Sequence, residues 1–186
     1  MTGIVLIGGR SRRFGTDKVL AHLRGKALVD HVVDLITPLF DEVILVGNRR
    51  KELQGHRVVE DIYPGCGPLG GIYTGLTAAG TDRCFVFATD MPNLHQGFIG
   101  HMISLAGEHD VVIPCWSRGR EPLHAIYHRR LLPVVKELLE KKTFRIFDLL
   151  GQADTLAIPE ETIRAFQDPE IIFSNINTVM DRDRLS

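Results

Sequence analysis

Positive charge gathered directly behind a glycine pair is the first sign of chemistry in this chain. Residues 10–26 hold six Lys or Arg, among them Arg10, Arg12, Arg13 and Lys18, against one acid, Asp17. Gly8 and Gly9 stand just ahead, at the end of a short apolar, β-branched run over 3–7. Residues without side chains let a backbone turn sharply and bring its N–H groups close to a ligand. A strand, a glycine turn and cations in that order suit an α/β protein that holds phosphate. The net charge of the whole chain is only −1, so the basic cluster is local and reads as a site. A solvated basic loop is the plain alternative.

The loop is not one of the common kinds. A Walker loop needs Gly, four residues, then Gly-Lys-Ser/Thr. Here five residues separate Gly9 from Gly15, and Thr16-Asp17-Lys18 follows. A second stretch, Gly65-Cys66-Gly67-Pro68-Leu69-Gly70, spells the dinucleotide fingerprint letter by letter. That fingerprint must leave a strand directly and open a helix. Residues 60–64 intervene after the nearest strand candidate, and Pro68 sits inside the motif, so a nicotinamide-dinucleotide site is disfavoured.

Asp90 has the clearest chemical role. It follows the most apolar run in the chain, Cys84-Phe85-Val86-Phe87-Ala88, and precedes Pro92. A carboxylate at the mouth of a buried strand needs a cation. Mg²⁺ suits, since it takes oxygen ligands, often only one or two carboxylates, and completes its shell with phosphates and water. The competing role is a cap for the loop Met91-Pro92-Asn93. Asp61 also follows a strand, and an Asx-turn is its ordinary alternative. Asn48 contacts a nucleotide or caps a turn. Asn175 and Asn177 alternate along what reads as the end of a strand and so point the same way. Arg118 and Arg120 meet an anionic second substrate or form a solvated loop. His124 and His128 are four apart, but metal binding by such a pair needs a helix, and 123–127 reads as strand.

Elements able to position these residues alternate between strand and helix. Apolar periodicity predicts strands over 3–7, 42–46, 57–59, 84–88, 110–114 and 171–173, and helices over 27–39, 70–79, 96–106, 132–141 and 145–150. The run over 84–88 is continuous, as expected of a central parallel strand covered on both faces. This order predicts a three-layer, Rossmann-like α/β fold, with a mostly parallel sheet and helices on both faces. Ligands in such sheets sit beyond the carboxyl ends of the strands. Gly8, Asp61 and Asp90 each follow a strand, so the fold should bring them to one edge.

The chain has 186 residues, the size of one domain with one substantial core. Its 44% hydrophobic and 24% charged content is that of an ordinary soluble protein. No apolar run approaches a membrane span, and no signal peptide is visible. Near-zero net charge argues against a general nucleic-acid binder. Cys66, Cys84 and Cys115 are odd in number and contain no C-x-x-C, against a disulfide framework or structural zinc and in keeping with a reducing cytoplasm.

The first segment resembles the nucleotidyltransferase signature L-A-G-G-x-S-x-R-M-G-x-D-K. This chain reads Leu6-Ile7-Gly8-Gly9-Arg10-Ser11-Arg12-Arg13-Phe14-Gly15-Thr16-Asp17-Lys18, departing at Ile7 for Ala and Phe14 for Met. Ile7 is expected to add bulk beside the nucleotide. Within that superfamily, later segments resemble the molybdenum cofactor guanylyltransferases. They are Asp61 with Tyr63-Pro64-Gly65-Cys66-Gly67-Pro68-Leu69-Gly70-Gly71-Ile72, then Thr89-Asp90-Met91-Pro92, Pro122-Leu123-His124-Ala125-Ile126-Tyr127 and Asn175-Ile176-Asn177-Thr178. The family's related cytidylyltransferases carry a serine-rich stretch in place of the Gly-Pro-Leu block.

The resemblance implies GMP transfer from GTP to a molybdopterin-type acceptor with Mg²⁺, without nucleic acid or membrane, and protein partners in cofactor delivery. It implies catalytic roles for Lys18, Asp90 and Arg12. Leu6, Ile7, Gly8, Gly9, Lys18, Asp61 and Asp90 would bind the nucleotide, with Asp61 on the guanine and Asp90 on the metal. Asn175 and Asn177 would lie near the reacting phosphates. The rival readings are a related nucleotidyltransferase using CTP or a sugar phosphate, and a nucleotide-binding module without turnover.

Overall fold

A computed structural model describes residues 1–8, 22–23 and 25–175. The basic segment with Gly9, Arg10, Arg12, Arg13 and Lys18 lies outside the described residues, as do Ile176, Asn177 and Thr178.

The strands are β1 (Thr2–Leu6), β2 (His22–Leu23), β3 (Lys26–Ala27), β4 (Glu42–Val46), β5 (Val58–Val59), β6 (Arg83–Ala88), β7 (Val111–Trp116), β8 (Gly119–Arg120), β9 (His124–His128) and β10 (Thr155–Pro159). The helices are α1 (Leu28–Ile36), α2 (Gly67–Ala78), α3 (Gln96–Ser104), α4 (Leu132–Glu140), α5 (Ile146–Leu150), α6 (Glu160–Arg164) and α7 (Pro169–Ile172). The main sheet runs β10-β7-β9-β6-β1-β4-β5, with β8 paired to β7; β2 and β3 form a separate antiparallel pair.

The fold is the expected three-layer α/β sandwich. Alternation along β1 sets the layers: Val5 and Ile7 face one side, Ile4 and Leu6 the other. The first face packs against α1, α3, α6 and α7 through Val29, Val32, Phe98, Met102, Ile163 and Ile172. The second packs against α2, α4 and α5 through Leu69, Ile72, Leu76, Val135, Leu139 and Leu149.

Two expectations need correction. Residues 171–173 are not a strand: Pro169–Ile172 is a short helix. Its start is set by Asp168, whose side chain accepts from Glu170 N at 3.1 Å, and by Pro169 in the first turn. Cap and proline outweigh the strand preference of two isoleucines and a phenylalanine. Asn175 therefore follows a helix rather than a strand, and its expected alternation partner, Asn177, lies outside the described residues. The helix expected at 70 begins at Gly67, with Pro68 in its first turn, where a missing N–H costs nothing. The sheet is mostly parallel, as expected, with β9 running antiparallel to both β6 and β7.

Candidate active site

The parallel strands β4, β1 and β6 finish level. Leu6 lies opposite Val46 on one side and Ala88 on the other, and Val46 lies opposite Val59. The chain segments leaving these four strands therefore share one edge of the sheet. Gly8, Asp61 and Asp90 stand there, as the order of elements predicted, and Gly47 stands with them.

Contacts tie this edge together. Ile7 N donates to Val46 O at 2.9 Å, and Gly47 N donates to Val59 O at 2.9 Å. Arg50 reaches across from the next loop, its guanidinium donating to Ile7 O at 3.4 Å and to Asn48 O at 3.2 Å. The Thr89 hydroxyl, buried beside Asp90, donates to Leu6 O at 3.4 Å. A Cβ built on Gly8 would stand 3.3 Å from Asp61 Oδ2, so the carboxylate lies against that glycine. Burial pushes the Asp61 carboxyl above its ordinary range. A carboxylate set against an open backbone, short of water, is poised for a ligand that donates hydrogen bonds to it.

Side-chain placement corrects one reading of this loop. Ile7 is fully buried in the face-one core, so its bulk does not line a nucleotide pocket. Leu6 is buried on the opposite face against α2. Both offer only backbone to a ligand, while Gly8 is exposed.

The Gly-Pro-Leu-Gly-Gly stretch does structural work that the sequence reading did not assign. A Cβ on Gly71 would lie 2.9 Å from Leu6 Cδ2, and one on Gly75 would lie 2.6 Å from Ile4 Cδ1. These glycines, one helical turn apart, let α2 lie flat on β1. Spacing of Gly71 and Gly75 by four was the available signal. The helix is thus drawn toward the sheet, with its first turn at the edge that carries Gly8 and Asp61. Thr74 locks the preceding loop: its hydroxyl accepts from Ile62 N at 3.0 Å and donates to Gly70 O at 2.9 Å.

Gly47 is the position where substitution should be least tolerated. Its φ is +144°, and a Cβ there would meet Gly8 N at 2.8 Å and the Ile7 carbonyl carbon at 3.0 Å. Gly47→Ala should destabilise the fold by about 2 kcal/mol and weaken nucleotide binding, because relief requires moving Gly8. Denaturant midpoint and nucleotide affinity, measured together, check both effects; an unchanged midpoint would refute them.

The other candidates divide. His124 is fully buried with neither ring nitrogen hydrogen-bonded. His128 Nδ1 accepts from Arg130 N at 3.0 Å, so the pair makes no joint site. Among the described residues no group of three or more His, Cys, Asp or Glu is placed to hold a metal. Arg118 pairs with Glu170 at 2.8 Å and lies over the Trp116 ring at 5.3 Å. Trp116 Nε1 donates to Glu121 Oε1 at 2.8 Å, and burial pushes the Glu121 carboxyl up. All three cysteines are unpaired, and burial pushes the Cys84 thiol up to about 12. Among the described residues no helix is long and apolar enough to cross a membrane.

Known proteins share this architecture along almost the whole chain. The family model for the MobA-like NTP transferase domain matches residues 3–164. A molybdenum cofactor guanylyltransferase of Desulfosudis oleivorans is 37% identical over 183 residues, covering 96% of this chain and 90% of that protein. A relative from Pelotomaculum thermopropionicum, named probable molybdenum cofactor guanylyltransferase, is 33% identical over 97% of this chain and 89% of its own. Among solved structures, molybdopterin-guanine dinucleotide biosynthesis protein A from Archaeoglobus fulgidus superposes with a TM-score of 0.85 at 28% identity, covering 100% of this chain and 96% of that one. With its sheet edge, its glycine-stacked helix and its relatives in agreement, the chain belongs to the MobA-like NTP transferase family.

Proposed function

We propose that this protein is a molybdenum cofactor guanylyltransferase, moving GMP from GTP to the phosphate of a molybdopterin-type acceptor and releasing pyrophosphate. The convergence of Gly8, Asp61 and Asp90 at one sheet edge, in a chain of this family, carries the reading. The relatives named for that activity support the choice of base and acceptor.

The acceptor phosphate is already an anion at neutral pH. Its oxygen attacks the α-phosphorus of GTP, the bond from that phosphorus to the β-bridging oxygen breaks, and pyrophosphate leaves. No protein nucleophile is needed. What the protein supplies is position and charge. Gly8 and Gly9 donate backbone N–H groups to phosphate. Lys18 and Arg12 neutralise the triphosphate and the departing pyrophosphate. Asp61 accepts from the N1–H and 2-amino groups of guanine, an interaction that favours its ionised form over the neutral form favoured by burial.

Asp90 suits Mg²⁺. It stands in the turn two residues past the buried strand β6, and no dedicated cage of protein ligands surrounds it among the described residues. Mg²⁺ accepts that poverty of protein ligands when phosphates and water complete its shell. When bound, it supplies positive charge to the triphosphate. On the same reading the protein works in the cytoplasm, in keeping with three unpaired cysteines, as one nucleotidyltransferase domain with partners that receive the finished cofactor.

Base selection tests the assignment. GTP should bind at least tenfold more tightly than CTP or ATP, about 1.4 kcal/mol or more, by titration calorimetry. Pyrophosphate release should require both GTP and molybdopterin. Equal affinity for all nucleotides would reject guanylyl transfer and leave a nucleotidyltransferase of other specificity.

A further inference from the structure

The end of the described chain is seated, not trailing. Ile172 is fully buried and Phe173 is 5% exposed. The Phe173 ring lies 5.4 Å from His124, 5.7 Å from Trp116 and 6.3 Å from Phe98. On the outside, Arg118 grips Glu170 of α7 at 2.8 Å. The chain therefore reaches Ser174 along a fixed path.

Ser174 then makes a contact across 81 positions of sequence. Its hydroxyl donates to Ile171 O at 2.7 Å and accepts from Asn93 Nδ2 at 2.9 Å. Asn93 stands three residues beyond Asp90, in the turn that leaves β6. The next residue of the tail is Asn175, which is exposed. Helix α2 and the segments after β1, β4 and β5 build one half of the edge. The tail arrives from the other half, over β7 and β9. The Asn93–Ser174 bond joins the Asp90 turn to that tail.

We propose that this bond is a clasp that sets Asn175 against the Asp90 turn for the acceptor half of the reaction, which makes Asn93 a positioning residue. The proposal rests on the transferase reading above. The nucleotide half of the site is held without the clasp: Gly8, Asp61 and the loop of Arg50 by β1, β4 and α2, and Asp90 by the neighbouring Thr89 hydroxyl, which donates to Leu6 O of β1. The acceptor half depends on it, because the hydrogen bond fixes where the tail leaves Phe173. A neutral hydrogen bond lost from a positioning contact should cost about five- to tenfold in rate.

The test uses the full-length protein with Mg²⁺, GTP and molybdopterin. Asn93→Ala and Ser174→Ala should each lower kcat/KM for molybdopterin about five- to tenfold. GTP affinity should stay within about twofold and the melting temperature within a degree or two. Ser174→Thr keeps the hydroxyl and should keep the rate. The double variant should be no worse than either single one, since both remove the same bond. Single variants matching the unaltered protein would overturn the clasp. So would equal losses of GTP affinity, a Thr variant as impaired as Ala, or multiplicative losses in the double variant. Absence of GMP transfer by the unaltered protein would overturn the transferase reading, and the clasp with it; transfer at equal rates by all variants would overturn the clasp alone.

Discussion

Asp90→Asn should reduce GMP transfer by at least about a hundredfold, on the order of 2.7 kcal/mol of transition-state stabilisation, with the melting temperature nearly unchanged. The substitution preserves size and turn-forming ability and removes one negative charge. Asn caps a turn nearly as well as Asp, so a residue that only closes the Met91-Pro92-Asn93 turn would tolerate it. A residue that holds Mg²⁺ would not, since the cation loses the one carboxylate offered from β6. Position argues for the second role. The Thr89 hydroxyl anchors the turn to β1 through Leu6 O, and Ala88 N donates to Leu123 O at 3.1 Å on the other side. The turn is thus fastened on both flanks by other groups. Melting temperature, Mg²⁺-dependent GTP binding and turnover should be measured on one preparation. Retained melting with lost Mg²⁺ dependence supports the site. Full activity, or activity lost only through unfolding, would remove Asp90 from the mechanism.

Much of this site was legible because it depends on chain order. Strand, short turn and functional residue recur at Gly8, Asp61 and Asp90, and parallel strands must bring such residues to one edge. The central strand announced itself as five apolar residues in a row. What sequence reasoning missed depends on contacts between distant segments. Nothing local in Ile7 says that its side chain enters the core; that follows from the alternation set by Val5 and by the pairing with β4. The helix at Pro169 was misread because β-branched residues were weighed above an Asp-Pro start. Strand β10 went unseen because it is an edge strand with only Ile158 buried, and its apolar run, Leu156-Ala157-Ile158, is short and stops at Pro159. The reversal of β9 was hidden too, since apolar spacing is blind to strand direction. Asn93 gave no signal at all, because its partner is 81 residues away.

His124 should make the fold acid-sensitive. The ring is fully buried, stacked on Phe98 at 5.8 Å and met edge-on by Phe85 at 5.1 Å, Phe87 at 5.7 Å and Phe173 at 5.4 Å. Neither ring nitrogen has a hydrogen-bond partner. Nothing in this aromatic cage offsets the cost of a charged imidazolium, so burial lowers the pKa from 6.5 to about 3. Between those values the unfolded chain binds a proton that the folded chain refuses. Stability is therefore complete above the ordinary histidine pKa and falls as pH drops toward the folded one. At 1.36 kcal/mol per unit, two units of acidification, to about pH 4.5, should cost about 2.7 kcal/mol. Other groups titrate in the same window and pull in both directions. Asp61 and Glu121, raised by burial, gain stability on acidification. Glu42 and Asp110 are lowered; burial opposes the shift, and it is outweighed by hydrogen bonds from Gly80 and Thr2 to Glu42 and from Arg130 to Asp110, so both lose stability. The quantity to measure is therefore the difference between the unaltered protein and His124→Phe, in which those contributions cancel. Urea unfolding at pH 7.5 and at pH 4.5 gives it. The variant should lose about 2 to 3 kcal/mol less than the unaltered protein over that interval, whatever its starting stability, so any crowding from the larger ring does not blur the result. Identical losses in both proteins would mean that His124 finds a partner or water when it charges. Because Phe173 packs on the same ring, acid should also loosen α7, and with it the seat of Asn175, before the rest of the sheet.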